Sequence, residues 1–114
     1  MAATELCRTL GIEHPILCAP MGGGGAGPDL AAAVSNAGGL GLMGLIGVPP
    51  PLVEQMIARV RELTKKPFGA GVVLDVEGHP EHVAICREAR VPVLVTFWGD
   101  PTPYVADCQA RGIR

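Results

Sequence analysis

Apolar residues gather in four short runs along this chain, and each run is followed by a longer stretch that mixes apolar and polar residues. The runs at residues 15–19, 40–46, 68–74 and 91–97 have the length of strands. The stretches between and after them predict helices at residues 28–36, 50–65, 80–89 and 101–110. In the second of these, apolar residues recur every three or four positions, as on one face of a helix. The pattern predicts four consecutive strand–helix units.

The predicted strands are apolar at nearly every residue, which indicates a sheet covered on both faces. Strands joined by helices pair in parallel through right-handed crossovers, so the predicted fold class is α/β, a parallel (β/α) half barrel. Four such units are half of a TIM-type (β/α)8 barrel. Residues 1–114 are predicted to be the N-terminal half of a single barrel domain. Gly112, Ile113 and Arg114 resemble the start of a further strand.

An open half barrel has two unpaired sheet edges and an exposed apolar inner face. Two interpretations therefore stay open. The chain is an incomplete part of a longer protein, or it assembles with a partner, for example as a homo-oligomer formed through the open sheet edges.

Composition and charge exclude several kinds of partner. The formal net charge is -2, charged residues make up 18% of the chain, and no basic run occurs. Nucleic acid and anionic membranes are therefore not expected partners. The 48% of hydrophobic residues instead require a buried core or a covered surface.

No membrane-spanning or targeting segment is predicted either. Residues 30–53 carry no charge, but Ser35, Asn36 and the prolines at 49–51 divide them into helix, turn, strand and loop. The N-terminus lacks the apolar core of a signal peptide. The four cysteines show no C-x-x-C spacing and no zinc pattern with the histidines. We expect a cytoplasmic protein with free thiols and no metal site.

The most informative stretch is the glycine-rich loop between the first predicted strand and its helix. Gly22, Gly24 and Gly27 match G-x-G-x-x-G, but the second predicted strand does not end in the acidic residue that a dinucleotide site requires. No Gly-Lys-Ser/Thr follows, which excludes a Walker A loop. The loop alone therefore does not define a nucleotide site.

Pro20, Met21 and Gly22 follow the first predicted strand directly. In α/β barrels the carboxyl ends of the strands form the site, and a flat ring could lie against this exposed backbone. The alternative is that Pro20 and Met21 only turn the chain. Gly71, in the third predicted strand, either lets a ligand approach or is a small residue in a crowded barrel.

The end of the fourth predicted strand offers a second candidate wall. Phe97 and Trp98 precede Gly99, and aromatic residues at this position suit a ligand site. Asp100 is better interpreted as a cap for the helix that follows. His14 precedes the first strand, at the wrong end for a barrel site, and His79 and His82 are predicted to be solvated at a helix entry. No catalytic residue is assigned.

These residues resemble the N-terminal half of the nitronate monooxygenase family. The matching stretches are residues 10–16 (LGIEHPI), 19–21 (APM), 29–42 (DLAAAVSNAGGLGL), 66–69 (KPFG), and Phe97 with Gly99-Asp100-Pro101. The resemblance implies an FMN-dependent (β/α)8 barrel in which the backbone of Pro20, Met21 and Gly22 lies against the flavin. The position of Gly71 is commonly asparagine and contacts FMN, so glycine loses that side-chain contact. The family's catalytic histidine and phosphate loops have no counterpart in this chain.

The resemblance implies a cytoplasmic flavoprotein that oxidises a small-molecule substrate, an alkyl nitronate, with dioxygen to a carbonyl compound and nitrite. Without the catalytic half, the chain by itself is expected to be inactive. Two alternatives remain: a flavin- and nicotinamide-dependent enoyl reductase of the related barrel type, and a non-catalytic half barrel that self-associates.

Overall fold

A computed structural model describes residues 3–114 of the chain. Along these residues the order of elements is α1 (Glu5–Leu10), α2 (Pro28–Asn36), β1 (Gly41–Gly44), α3 (Pro50–Leu63), β2 (Phe68–Val73), α4 (His79–Glu88), β3 (Val93–Phe97) and α5 (Thr102–Ala110). Within this range, no helix has the length and apolar character needed to cross a membrane.

The three strands form one parallel sheet in the order β1–β2–β3. The register pairs Leu42 with Gly69 and Gly69 with Val93, so the strands lie side by side without a large stagger. A helix follows each strand and returns the chain to the same end of the sheet. The predicted α/β class and the parallel half-barrel architecture are confirmed.

The first predicted strand, residues 15–19, is reduced to a single bridge between Leu17 and Leu40. Leu40 N–H donates to the Ile16 carbonyl and Cys18 N–H donates to the Leu40 carbonyl, both at 2.9 Å. The prolines at 15 and 20 have no N–H group, which limits the ladder to this short piece. The segment still lies in parallel beside β1, at the edge where the prediction placed it.

The opposite edge of the sheet is also extended by the chain itself. Arg114 N–H donates to the Pro92 carbonyl at 3.0 Å, and Leu94 N–H donates to the Arg114 carbonyl at 2.8 Å. This alternation is that of a parallel ladder. The predicted start of a further strand at residues 112–114 thus pairs with β3.

Side chains alternate between two separate cores on the two faces of the sheet. On the outer face, Met43, Ala70 and Val72 pack with apolar residues of α2 to α5. On the inner face, Leu42 and Val93 pack with Cys7 and Ile12 from the N-terminal segment. The alternation follows from the two-residue period of a strand.

Helix α1, which the sequence analysis did not predict, covers part of the inner face. Thr4 begins it, because its Oγ1 accepts a hydrogen bond from Cys7 N–H at 3.2 Å. Gly11, with a φ of 70°, ends it. A helix of six residues shows too little apolar periodicity to be recognised in the sequence.

The inner face of the central strand β2 consists largely of glycine. A Cβ on Gly69 would lie 2.5 Å from Leu42 Cδ2 and 2.6 Å from the Val93 carbonyl oxygen. A Cβ on Gly71 would collide with the ring of Pro20. The missing side chains therefore let residues from both neighbouring segments fold across β2.

Residues 36–41, here called the junction cluster, join α2 to β1 and to the end of α3. Asn36 Nδ2 donates to the Leu63 carbonyl at 3.1 Å, and Asn36 Oδ1 accepts a hydrogen bond from Thr64 Oγ1 at 2.6 Å. Gly41 N–H donates to Ser35 Oγ at 3.0 Å, and a Cβ on Gly41 would collide with the backbone of Ala31. The junction cluster sets how closely α2 approaches the sheet.

Candidate functional site

Residues 20–27, here called the rim loop, fold back over the carboxyl end of β1. Met21 O accepts a hydrogen bond from Ala26 N–H at 3.1 Å, and Gly44 N–H donates to the Ala26 carbonyl at 3.1 Å. Gly23 and Gly24 have φ angles of 66° and 86°, which side-chain-bearing residues rarely adopt. A Cβ on Gly44 would collide with the backbone of Met21. Glycine is therefore needed at Gly44 for this close contact and at Gly23 and Gly24 for the turn of the loop.

A cavity of about 160 Å³, here called the rim cavity, opens where the rim loop meets the carboxyl ends of the strands. Its walls come from the rim loop, from the ends of β1 and β2, and from the end of β3 with the residue after it. The lining residues are Pro20, Gly22, Gly44, Leu45, Ile46, Gly71, Val73, Phe97 and Trp98.

The rim cavity brings together three of the four residues that the sequence analysis proposed as cofactor contacts. Pro20, Gly22 and Gly71 line it, whereas Met21 does not. The Met21 carbonyl is held by Ala26 N–H, and Met21 is 45% exposed. Gly24, from the G-x-G-x-x-G match, lies outside the cavity lining as well.

The structure supports the interpretation of Gly71 as a small residue in a crowded part of the barrel. A side chain there would collide with Pro20, so glycine is needed for the rim loop to pack on β2. Gly71 is also part of the cavity wall. Packing alone explains why glycine stands at this position, and a contact with a ligand remains a prediction.

Phe97 and Trp98 form the aromatic side of the cavity. Their ring centroids are 6.0 Å apart with an interplanar angle of 84°, an edge-to-face arrangement. Asp100 Oδ1 accepts a hydrogen bond at 2.9 Å from the N–H of Thr102, the first residue of α5. The N-cap position itself is Pro101, so Asp100 lies one residue before the expected cap position. This hydrogen bond lowers the pKa of the Asp100 carboxyl below its ordinary value.

The histidines do not line the cavity, and one prediction about them is wrong. His82 is buried rather than solvated, because its Nε2 donates to the Val48 carbonyl at 2.7 Å and joins α4 to the loop after β1. His79 is half-buried, with Nδ1 3.0 Å from the Val76 carbonyl and Nε2 3.2 Å from the Tyr104 hydroxyl. Both histidines hold loops and helices together beside the rim.

The cysteines are free thiols in the part of the chain that the structure describes. Burial, and secondarily the neighbouring Cys108, raises the pKa of the Cys86 thiol to about 12. Cys86 and Cys108 belong to the outer core and are absent from the cavity lining. Across residues 3–114 no three metal-ligating side chains lie together.

The electrostatic character of the rim cavity is neutral and apolar. None of its lining residues has an ionisable side chain. Its volume is about 160 Å³, whereas pockets for whole small ligands begin at roughly 300 Å³. These residues can therefore surround the uncharged part of a ligand but provide no cationic side chain for a phosphate.

A larger groove of about 560 Å³ lies elsewhere, between α3 and α4. Arg61, on its wall, donates through Nη2 to the Ala89 carbonyl at 2.6 Å and lies over the ring of Phe68. This arginine serves the packing of two helices. The groove contains none of the residues at the carboxyl ends of the strands.

The sequence analysis missed the aliphatic residues of the cavity. Four lining residues were not proposed as site residues: the aliphatic residues Leu45, Ile46 and Val73, and also Gly44. The available signal was their position, since all four lie at the ends of the predicted strands at 40–46 and 68–74. In an α/β barrel that position alone marks a residue as a candidate.

Fold and cavity together define the class: a parallel α/β half barrel with a cavity at the carboxyl ends of its strands, where barrel enzymes build their sites. The chain belongs to the nitronate monooxygenase family, whose sequence model matches residues 3–96. The predicted resemblance is confirmed. The family is one of flavin-dependent oxidoreductases.

Individual relatives support this assignment. The nitronate monooxygenase of Pseudomonas aeruginosa is 49% identical over 82% of the chain and 27% of its own length. The (3aS,4S,5R,7aS)-5-hydroxy-7a-methyl-1-oxo-octahydro-1H-indene-4-carboxyl-CoA dehydrogenase of Rhodococcus jostii is 30% identical over 96% of the chain and 31% of its own length. The chain thus spans between 18% and 31% of the length of the curated relatives compared with it.

Solved structures give the same fold. FabK from Thermotoga maritima matches with a TM-score of 0.95 and 37% identity, over 100% of this chain and 36% of that one. The nitroalkane oxidase from Streptomyces ansochromogenes matches with a TM-score of 0.87 and 26% identity, over 96% of this chain and 41% of that one.

Proposed function

We propose that this chain forms one wall of an FMN site in an enzyme that oxidises alkyl nitronates with dioxygen to carbonyl compounds and nitrite. The observation that supports it is the rim cavity, which unites Pro20, Gly22 and Gly71 in a member of the nitronate monooxygenase family. The flavin would supply the electron-accepting chemistry that protein side chains lack.

The lining of the rim cavity fits the ring of a flavin. Its surfaces are the Pro20 ring, aliphatic side chains and two aromatic rings, which suit a flat apolar group. Gly22 N–H has no hydrogen-bond partner within residues 3–114, so it is available to a ring nitrogen or oxygen. Pro20 and Gly22 would hold the ring, and Phe97 with Trp98 would exclude water from it.

The same lining does not fit the phosphate of FMN. No lysine, arginine or histidine side chain reaches the rim cavity. In this proposal the phosphate is held by residues other than those of the cavity. The affinity of this chain for FMN should therefore come from the ring alone and be modest.

The cavity also contains no group that could transfer a proton, because none of its side chains ionises. The role proposed for this chain is to bind and orient the cofactor ring rather than to act on the substrate. We expect the isolated chain to release no nitrite when it is given FMN, propyl-2-nitronate and oxygen. Nitrite release above that of free FMN would contradict this part of the proposal.

The direct test is a titration of the purified chain with FMN, followed by flavin fluorescence, and a visible absorption spectrum after gel filtration. We expect saturable binding by the wild type and at least tenfold weaker binding by Gly22→Ala. A Cβ at position 22 would collide with Ile46, so the alanine variant must displace a cavity wall.

Gly27→Ala is the matched control for Gly22→Ala. It makes the same chemical change in the same loop, but a Cβ at position 27 has no atom within 4 Å, and Gly27 is not part of the cavity lining. Gly27→Ala should bind FMN like the wild type. The proposal fails if the wild type binds no FMN, or if the two variants bind it equally.

A second candidate is a flavin-dependent reductase or dehydrogenase acting on a thioester. It rests on the relative from Rhodococcus jostii, which is a carboxyl-CoA dehydrogenase and whose alignment covers 96% of the chain. The rim cavity is equally compatible with this chemistry. Binding of CoA thioesters rather than nitronates, measured by calorimetry on the FMN-loaded chain, would favour this alternative.

A further inference from the structure

Trp98 has a backbone conformation that large side chains disfavour. Its φ is 54°, and within residues 3–114 only Arg90, at 52°, shares a positive φ without being glycine. Arg90 follows α4 and has a structural reason for this angle, since Val91 N–H next to it donates to the Cys86 carbonyl at 3.1 Å and ends the helix. Trp98 follows a strand and ends no helix, so the reason that applies to Arg90 does not apply to it.

The neighbours of Trp98 impose this conformation from both sides. Phe97 O accepts a hydrogen bond from Leu74 N–H at 3.0 Å, and Asp100 Oδ1 accepts one from Thr102 N–H at 2.9 Å. Between them, Gly99 has a φ of 105° and packs so closely on Leu74 that a Cβ would lie 2.9 Å away. A disfavoured conformation persists where the surrounding structure determines it, and such positions concentrate at ligand sites.

Burial does not explain the position of the Trp98 side chain. Its indole is 68% exposed, so it contributes little to the core. Its described contacts are the edge of Phe97 and the rim cavity. The turn thus places a large aromatic surface at the cavity and gains little packing in return.

We propose that Trp98 is a specificity-determining residue that restricts the rim cavity to flat, uncharged rings. Trp98 and Phe97 present aromatic surface, and the remaining lining is aliphatic or backbone without charge. Flat rings gain the most from contact with such aromatic groups. The inference rests on the proposed function only in taking the rim cavity as a ligand site.

Three variants separate a role in ligand binding from a role in folding. Trp98→Gly removes the indole and relieves the backbone, because glycine adopts a positive φ freely. Trp98→Phe keeps an aromatic ring. Arg90→Gly is the matched control, since it relieves the same kind of backbone conformation outside the cavity lining.

The probe is 2-naphthol, a flat uncharged ring that is not a flavin, and binding is followed by its own fluorescence. Because Trp98 is the only tryptophan of the chain, quenching of its emission reports occupancy of the cavity in the wild type. FMN binding and the thermal midpoint are measured on the same proteins.

We expect both Trp98→Gly and Arg90→Gly to raise the thermal midpoint by roughly 4 °C, and we expect Trp98→Gly to weaken 2-naphthol binding by about fivefold or more. Trp98→Phe should keep binding within about twofold. A lower midpoint in Trp98→Gly would assign the residue to folding and overturn the proposal. Unchanged 2-naphthol binding in that variant, or none in the wild type, would overturn it as well.

Failure of the proposed function has a different signature. In that case FMN does not bind the wild type, while 2-naphthol binds and its affinity depends on Trp98. Conversely, if FMN binds the wild type but the affinity for 2-naphthol is the same with and without Trp98, the flavin site is supported and the role of Trp98 is rejected.

Discussion

The junction cluster and the rim loop are both rich in glycine, yet their glycines have different physical roles. In the junction cluster, Asn36 and Gly41 are tied by hydrogen bonds, and a Cβ on Gly41 would strike the backbone of a helix. In the rim loop, Gly23 and Gly24 are exposed, and a Cβ on either would meet no atom within 4 Å. The first cluster fixes the distance between layers, while the second shapes an open edge.

The difference teaches that a glycine-rich motif is not by itself a sign of a ligand site. The junction cluster lies in a stretch that carries much of the family resemblance, but its contacts are those of helix-to-strand packing. Gly22 is the rim-loop glycine that reaches the cavity. The contacts of each glycine, and not the number of glycines in a motif, show whether a glycine serves packing or lines a cavity.

The largest expected effect is that of Gly41→Ala in the junction cluster. Its Cβ would collide with backbone atoms of Ala31, which cannot rotate away as a side chain can. We expect the free energy of unfolding to fall by about 3 kcal/mol or more. Urea denaturation measures this loss. Gly27→Ala is the control, and it should lose only the roughly 1 kcal/mol that alanine costs at the N-cap of α2. Equal losses of stability in the two variants would show that the two clusters do not differ in this respect.

A smaller effect is expected for Asn36→Ala. The change leaves the Leu63 carbonyl and the Thr64 hydroxyl without their Asn36 partners, and we expect a loss of about 1–2 kcal/mol. Asn36→Asp keeps the oxygen that accepts from Thr64 Oγ1 but loses the donor to Leu63, so its stability should lie between the two. An Asn36→Asp variant as weak as Asn36→Ala would show that the Thr64 hydrogen bond contributes nothing.

The smallest effect is expected at the rim, for Asp100. Its carboxylate accepts from Thr102 N–H, which lowers its folded pKa. The stabilisation is therefore fully present above the unfolded pKa of 3.8 and is lost as the pH falls through the lowered folded value. Asp100→Asn, which keeps the accepting oxygen without titrating, should lack this acid-dependent loss.

The test compares the thermal midpoints of the wild type and of Asp100→Asn, each measured at neutral pH and again well below pH 3.8. We expect the wild type to lose slightly more stability on acidification than the variant. The same acid response in both proteins would mean that the hydrogen bond between Asp100 and Thr102 does not contribute to folding.

The sequence predicted those parts of the fold that local sequence signals determine. Helix α2 has the predicted bounds, because Pro28 favours its first turn and Gly38, with a φ of 101°, lies just beyond its end. The strand at residues 15–19 shrank to one bridge because its flanking prolines cannot donate to a ladder. Burial of His82 depends on the Val48 carbonyl, 34 residues away, which no local pattern encodes.

The candidate site was predictable to the extent that chain order fixes it. Pro20, Gly22, Phe97 and Trp98 follow predicted strands, and parallel strands bring their carboxyl ends together. The exclusion of Met21 from the cavity could not be predicted, because it depends on the hydrogen bond that turns the Met21 carbonyl toward Ala26. Self-association through the open edges stays a prediction for light scattering.

The single bridge at Leu17 has a consequence for motion. Two hydrogen bonds hold this segment to the sheet, whereas β2 pairs with β1 from Phe68 to Gly71 and with β3 from Gly69 to Val73. Segments with few ladder bonds open at a lower free energy than the strands of a core. Pro20 follows directly, so the side of the rim cavity that it forms is attached to the part of the sheet that opens most readily. A ligand seated there would slow that opening, and amide exchange at Cys18 would register the event before any change reached β2.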